Sequence, residues 1–441
     1  MGELCEKSGW GRNPRSLTYF HKARDENHLI ELLKNVGDRG SLATGFFRSY
    51  GDSALNSGGL TINTLALRNC TINSETGIAI VGGGYSIREL EEVALLQNYF
   101  PPVVPGTGFV TMGGAIAADI HGKSHHTTGS FSSAVRRIKL LYSNGEISNL
   151  FPEGPTKNHF WATVGGLGLT GIILEVELKL IPVISDLVDV TEVRCKDLDS
   201  LMSELANSDK DYAHTVAWID FSGDFRGRGL VSKANYSSKV SSKKARKNTR
   251  DKNFSFPMLA GHNFINARSI SLFNELWYRK PTLNGSVTLK HFMHPLDRVN
   301  NWNRIYGDKG LLQYQFVIPE GSEILFARIL SELKKIHGAS FLVVLKRFGD
   351  ANSAAMSFPM KGWTLAIDLS LNISGLESLL NIFDQWVVLA GGRINLVKDS
   401  RMRGELLPTM YPKLKKWRAI RNEMDPGQVW ESDQSRRLGI C

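Results

Sequence analysis

Cysteine is scarce: Cys5, Cys70, Cys195 and Cys441 are the only four in 441 residues, and no two form a C-x-x-C pair. That excludes a disulfide framework and a cysteine zinc site, and the four read as free thiols in a reducing compartment. Long apolar runs are missing too, with no window approaching the roughly 18 residues of a membrane span. The N-terminal stretch MGELCEKSGWGRNPRS has no apolar core of a secretory signal. It also lacks the Ser/Thr of a myristoylation site, and the C-terminus lacks a prenylation box. These absences predict a cytoplasmic protein, at most peripheral at the inner membrane face. Acidic residues are in deficit: 43 Asp+Glu against 53 Lys+Arg leave a net charge of +10. The excess favours an anionic partner, whether nucleic acid, anionic lipid or a phosphorylated substrate. Nucleic acid is set aside because no recognised motif and no aromatic–basic alternation is present. His121, His125 and His126 lie close together, but no carboxylate or cysteine cluster with ligand spacing stands near them, so no metal is expected.

What is present is a globular composition, 42% hydrophobic and 22% charged, in a chain too long for one ordinary core. Glycine is abundant, at 42 residues, and concentrates before residue 175. Residues 1–182 read as alternating strands and helices. Gly77-Ile78-Ala79-Ile80-Val81 is a short apolar strand ending at Gly82-Gly83-Gly84. Ser86 with Glu89 forms a capping box, and Ile87, Leu90, Val93 and Ala94 mark one helical face. Ile138, Leu140 and Tyr142 alternate up to Asn144-Gly145, and Ile147 follows, which predicts a hairpin. Leu174, Val176, Leu178 and Leu180 alternate with Glu175, Glu177 and Lys179, and Pro182 closes that strand. Gly166-Leu167-Gly168-Leu169-Thr170-Gly171 satisfies G-x-G-x-x-G, but a dinucleotide fingerprint needs a strand before it and a helix after it. Here the alternating strand follows, so no nicotinamide site is expected there.

Residues 183–390 differ: glycine thins out and aromatics recur. The run 239–252 is basic and low in apolar content, which predicts a mobile loop. Strands are expected at Thr215–Phe221, Leu311–Ile318, Phe341–Leu345 and Thr364–Leu369, forming an antiparallel sheet of a second domain. Residues 391–441 return to strand-and-helix character, with a strand over Gly391–Val397 and a basic helix over Pro412–Asn422.

Four segments suggest chemistry. In Gly106–Lys123 almost every residue is small, glycine or apolar, so a ligand can lie against the backbone and exposed N–H groups can hold an anion such as a pyrophosphate. Gly45–Ser53 passes from strand to turn and ends in small polar residues. Trp161–Ile173 is again glycine-rich. Asn395–Arg401 starts a polar turn after an expected strand, where the Lys398 side chain projects.

The motifs Arg48-Ser49-Tyr50-Gly51-Asp52, Pro105-Gly106-Thr107, Gly113-Gly114-Ala115-Ile116-Ala117, Asp119-Ile120-His121-Gly122-Lys123 and Phe160-Trp161-Ala162-Thr163-Val164-Gly165-Gly166 occur in order. Asn301-Trp302-Asn303-Arg304, Gln313-Tyr314-Gln315-Phe316, Lys398-Asp399-Ser400-Arg401 and Ser432-Asp433-Gln434-Ser435-Arg436-Arg437-Leu438 follow, so the set spans nearly the whole chain. In these motifs the chain resembles the vanillyl-alcohol-oxidase-type flavoproteins. Within that superfamily it is most similar to the branch whose members oxidise polyprenyl-phosphoryl pentofuranoses.

The resemblance implies an α+β fold: a two-part PCMH-type FAD-binding domain over 1–182, a substrate or cap domain on an antiparallel sheet over 183–390, and a C-terminal segment, 391–441, returning to the first. It implies an FAD-dependent oxidoreductase that turns the 2′-hydroxyl of a polyprenyl-phosphoryl-ribofuranose into a ketone, passing hydride to flavin N5. A separate short-chain reductase using NADH or NADPH then completes an epimerisation to the arabinose lipid used for cell-wall polysaccharide. A soluble sugar, alditol or aldonolactone is the alternative substrate. Gly45, Arg48, Ser49, Tyr50, Gly51, Asp52 and Ser53 would wrap the FAD pyrophosphate, joined by Gly106, Thr111, Met112, Gly113 and Gly114. Ala118, Asp119, Ile120 and His121 would line the flavin, with Asn395 beside it and Ile173 at the adenine. Lys398 aligns with the family's active-site lysine, and Tyr50 is the second catalytic candidate. His121, Lys123, Trp218, Arg304, Gln313, Gln315, Lys346 and Phe348 are implied at the substrate, with Lys123 and Lys346 suited to a phosphodiester.

Three positions depart from the pattern of relatives. Tyr50 stands where sugar-lactone oxidases often carry a flavin-bonded histidine, so FAD is expected to be held non-covalently. Asn395 stands where the branch commonly has tyrosine. Ala366 stands where some members carry cysteine.

Overall fold

The computed structural model describes residues 2–222, 227–240, 254–255, 266–336 and 340–441. Two small sheets form the first part of the chain. One runs in the order Glu3–Ser8, Arg15–Lys22, Leu60–Asn63, Ser41–Thr44; its first pair is antiparallel and the other two are parallel. The other, wholly antiparallel, runs Cys70–Ile72, Ile78–Gly82, Ile172–Lys179, Val135–Leu141, Ile147–Leu150. Leu29, Ile62, Leu141, Ile172, Leu174 and Trp430 pack together between them with almost no solvent contact.

Local chemistry explains several of these elements. Asn144-Gly145 turns the hairpin, with Gly145 at φ +87° and Tyr142 N–H bonded to Glu146 O at 2.9 Å. Ser86 and Glu89 close a full capping box on the helix Ile87–Leu95, whose Ile87, Leu90 and Ala94 are buried. Residues 166–171 are a turn leading into the strand Ile172–Lys179, so the glycines there serve a strand entry. Gly83 permits a close approach: a Cβ there would sit 1.9 Å from Ile173 O. That contact seats the short helix Met112–Ala117, whose Gly113 N–H bonds Gly83 O at 2.8 Å.

The remainder is dominated by one eight-stranded antiparallel sheet. Its order is Asn284–Thr288, Leu187–Cys195, Arg228–Tyr236, His214–Asp220, Val343–Phe348, Gly362–Ser370, Leu311–Ile318, Arg393–Ile394. All four expected strands are present, within a few residues of the expected bounds. One face is covered by the helices Leu198–Ser208, Ile324–Lys335 and Leu376–Leu389. The other presents Trp218, Gln313, Gln315, Lys346 and Ala366 towards the glycine-rich first part of the chain. The basic segment 239–252 lies outside the described residues from position 241 onward.

The C-terminal region departs from expectation in detail. The strand expected over Gly391–Val397 is only Arg393–Ile394, and it belongs to the large sheet. Asn395 N–H still bonds Gln315 O at 2.9 Å, and the chain then leaves the sheet in a turn in which Lys398 N–H and Asp399 N–H bond Asn395 O at 3.0 and 3.1 Å. Beyond it the chain packs back on the first two sheets. Trp430 bridges Ser41, and fully buried Arg421 pairs with Asp425 at 3.0 Å while donating to Leu169 O and Trp430 O. The expected basic helix is Leu414–Met424.

Candidate active site

A cavity of about 960 Å³ lies between the large sheet and the glycine-rich segments. Its floor comes from the Gly45–Ser53 passage, the Gly106–Lys123 run and the turn before Ile173; its roof is the open face of the large sheet; residues 273–302 frame one side. Thus all four segments singled out in the sequence reach the same space.

At one end stands Lys398, lifted by a turn whose Lys398 N–H bonds Asn395 O at 3.0 Å. Its ammonium lies 4.1 Å above the Tyr50 ring. Loss of water around it lowers its pKa to about 8, against an opposing pull from Asp368. Lys346 falls to about 7, through burial first and then repulsion from Lys123 and Lys398. Lys123 falls to about 8 through burial, partly offset by Glu91, and donates to Met293 O at 2.8 Å. Three amines poised near neutrality in one cavity make a strong site for an anion.

Around them runs a hydrogen-bonded chain on the sheet face. Gln315 Nε2 donates to His121 Nε2 at 3.1 Å, which requires that nitrogen to be unprotonated. Burial, with Lys346, His125 and Lys398 adding repulsion, holds His121 well below its usual pKa and agrees with a neutral ring. Gln313 Nε2 donates to Asp368 Oδ1 at 2.6 Å and to Tyr50 Oη at 3.3 Å. Tyr50 is pushed well above its ordinary pKa, by burial and then by Asp368, and stays a phenol.

The remaining residues from the sequence reading divide. Gly45, Arg48, Ser49, Ser53, Gly106, Thr111, Gly113, Gly114, Ala118, Ile120, Ile173 and Asn395 line the cavity, as does Trp218. Six do not. Asp52 is engaged by Arg437 through two 2.8 Å bonds. Asp119 is fully buried and accepts from Ser130, Ser132, Asn352 and Ser357. Met112 is a core residue. Gly51 is pressed against the Asp399 carbonyl, 1.8 Å from where a Cβ would stand. Phe348 lies behind His121, with ring centroids 4.8 Å apart. Arg304 sits on the short helix Trp302–Tyr306, off the cavity wall. The first five shape the site through packing and hydrogen bonds from outside its wall.

Sequence reasoning missed Asp368, a fully buried carboxyl whose pKa is raised to about 7 by burial, against the Gln313 bond and Lys398. Its signal was a lone acid in the apolar strand Trp363-Thr364-Leu365-Ala366-Ile367-Asp368-Leu369. It also missed Trp10 and Phe109, whose rings flank the Arg48 guanidinium at 4.1 and 4.9 Å. Of the three clustered histidines, His125 accepts from Gly349 N–H at 3.2 Å and His126 contacts Tyr212 O at 2.9 Å.

Comparison with known proteins agrees with this geometry. Residues 18–150 match the FAD binding domain family. The decaprenylphosphoryl-beta-D-ribose oxidase of Mycolicibacterium smegmatis is 37% identical, over 98% of this chain and 97% of that protein. An uncharacterized protein of Streptomyces coelicolor is 32% identical over 80% of this chain and all of its own length. The D-lactate dehydrogenase of Archaeoglobus fulgidus is 22% identical across only 29% of this chain and 30% of its own. The FAD binding domain match and 37% identity over 98% of the chain, on a structure with a glycine-rich floor facing a lysine-bearing roof, have one meaning: the chain is an FAD-dependent oxidoreductase and belongs to the decaprenylphosphoryl-beta-D-ribose oxidase family.

Proposed function

We propose that this protein oxidises the 2′-hydroxyl of a polyprenyl-phosphoryl-D-ribofuranose to the ketone. The observation that carries the reading is Lys398, an amine of pKa about 8 inside a cavity that joins a glycine-rich floor to an apolar, lysine-bearing roof.

The residues present fit FAD. Thr44, Arg48 and Ser53 line the cavity, and Thr44 Oγ1, Arg48 Nε and Ser53 Oγ are buried with no hydrogen-bond partner within the protein, so side-chain rotation towards polar ligand atoms would satisfy them. Gly106, Gly113 and Gly114 leave bare backbone for a pyrophosphate. When bound, FAD supplies the two-electron acceptor that takes hydride from the carbinol carbon. Lys398 takes the hydroxyl proton as the C=O bond forms, and its lowered pKa leaves about a tenth of it neutral at pH 7. Tyr50, kept protonated by burial, donates to the sugar oxygen while its own oxygen accepts from Gln313. Lys123 and Lys346 hold the phosphodiester. A separate short-chain reductase using NADH or NADPH returns hydride to the opposite face and completes an epimerisation to the arabinose lipid.

The test is anaerobic titration of the yellow holoprotein with a polyprenyl-phosphoryl ribose. Bleaching of the flavin bands is expected. Lys398→Ala is expected to keep its FAD while reduction slows by at least about 10³-fold, in line with the loss of a general base with a positioning role. Normal reduction in that variant removes Lys398 from the mechanism. Bleaching by soluble sugars or lactones but not by the lipid overturns the substrate.

A further inference from the structure

The helix Ala267–Arg279 forms part of one wall of the cavity and, among the described residues, is anchored mainly through one side. Asn266 caps it, accepting from Arg268 N–H and Ser269 N–H at 3.1 and 3.0 Å. Ile270 is buried, and fully buried Asn274 donates to Asp220 at 2.9 Å and to Ser340 O at 3.3 Å. Glu275 binds Arg228 of the large sheet. The opposite face carries Leu272, Phe273, Leu276 and Trp277, exposed by 63, 43, 65 and 43%. Residues spaced i, i+1, i+4 and i+5 share one side of a helix, so these four form a continuous apolar stripe in solvent. Soluble proteins rarely leave such a patch uncovered without a binding role.

Two further observations say what covers it. Phe273 and Trp277 also line the cavity, so the outer stripe is continuous with the inner wall, where Leu230, Leu283 and Val287 extend the apolar surface inward. Cations border the stripe: exposed Arg268 and Arg279 lie at its two ends, and Lys280 stands 4.5 Å over the Trp277 ring; Arg279 is also paired with Glu275 and Lys280 with Glu192, which leaves Arg268 as the cation of the three with no acid against it among the described residues. Glu275, the single acid on the helix, is neutralised by Arg228 and Arg279. An amphipathic helix with a tryptophan and leucines on one face and arginines and lysine around it matches an interface with anionic lipid.

We propose that the Leu272/Phe273/Leu276/Trp277 face seats the protein on an anionic bilayer, so that a prenyl chain passes from the membrane along Phe273 and Trp277 into the cavity. The inference rests on the lipid substrate proposed above and adds where and how that lipid enters. Leu272 and Leu276 do not line the cavity, which makes them the residues to change.

The experiment uses FAD-loaded full-length protein and vesicles of phosphatidylglycerol in phosphatidylcholine, against vesicles of phosphatidylcholine alone. Wild type is expected to sediment with the anionic vesicles. The double variant Leu272→Gln/Leu276→Gln, built from good helix formers, is expected to weaken that binding at least tenfold with an unchanged flavin spectrum. With substrate presented in vesicles, its KM is expected to rise at least tenfold, while turnover of a short-chain, water-soluble prenyl-phosphoryl ribose stays at the wild-type rate. Leu272→Glu/Leu276→Glu is expected to lose more, because it sets negative charge against the anionic surface. Wild-type vesicle binding by both variants overturns the seat. So does equal loss of turnover on long and short substrates, or a wild-type dimer that the variants dissociate with no vesicle binding by either. If neither prenyl substrate reduces the flavin while vesicle binding still depends on Leu272 and Leu276, the substrate reading fails and the seat stands.

Discussion

Replacing Asp368 by Asn removes one buried charge from the neighbourhood of Lys398 and leaves the shape of the site intact. The Asn oxygen still accepts the Gln313 amide that Asp368 accepts at 2.6 Å. The charged and polar groups coupled to Lys398 and Asp368 are Gln313 on the neighbouring strand, Tyr50 on the turn and Tyr306 on the short helix, which face Asp368, and Lys346 and His121, which face Lys398. Among them the only carboxylate set against Lys398 is Asp368, which raises the lysine pKa. Since Asp368 itself titrates at about 7 and Lys398 at about 8, the carboxylate is mostly ionised where the amine loses its proton. Removing it lowers the lysine pKa, and an opposite charge at close range is worth about 1 to 3 units. Taking the lower end, the acid limb of flavin reduction moves from near pH 8 to near pH 7. At pH 7 the neutral fraction of Lys398 then rises from about a tenth to about a half, roughly fivefold. Above pH 9 the two proteins converge, apart from the modest loss expected of a weaker base. The assay is anaerobic stopped-flow reduction at saturating substrate from pH 6 to 9.5. A midpoint that stays put or moves upward refutes both the charge coupling and the assignment of Lys398 as the group that must be neutral.

Two other outcomes follow from the structure. Tyr50 offers no nitrogen for a bond to the flavin, and His121 spends its Nε2 on Gln315, so acid precipitation is expected to leave FAD in the supernatant; a yellow pellet contradicts this. Arg421→Met is expected to destabilise the fold by about 3 to 5 kcal/mol in urea titration, because it leaves Asp425 charged and fully buried; a loss below about 1 kcal/mol refutes the importance of that pair.

Much of this architecture is legible in the sequence, for local reasons. Asn144-Gly145 announces its hairpin within a few residues, and the alternation after Gly171 shows that the G-x-G-x-x-G string leads into a strand. The glycine-rich floor is legible because missing side chains are visible in sequence. What was hidden depends on register between distant strands. Gln313 meets Asp368 because Leu311–Ile318 pairs with Gly362–Ser370 in one particular alignment, and nothing near either residue announces it. Asp52 and Asp119 have the composition of ligand contacts, yet Arg437, 385 residues along the chain, and Asn352, 233 residues along, claim them. That Arg304 stands off the cavity wall was equally hidden, because a lone arginine carries no sign of the direction it faces. The strand over Gly391–Val397 is shorter than its apolar pattern suggests because Leu396 and Val397 belong to the turn that follows the last bond to the sheet, Asn395 N–H to Gln315 O.

The turn that carries Lys398 begins at the outermost strand of the roof and ends in a segment fastened to the floor. Arg437 ties Asp399, one residue past the lysine, to Asp52, next to the tightly packed Gly51. The Lys398 amine is therefore surveyed from both sides, like a boundary stone shared by two properties. Under the proposed function, substitutions elsewhere on the large sheet are free to redraw which sugar or lipid is admitted. Any drift of the sheet as a whole carries Lys398 away from Tyr50 and is felt at once in the chemistry. New substrate preferences in this architecture should accordingly arise from exchanges such as those at Ala366 or Trp218, and seldom from movement of the sheet that bears them.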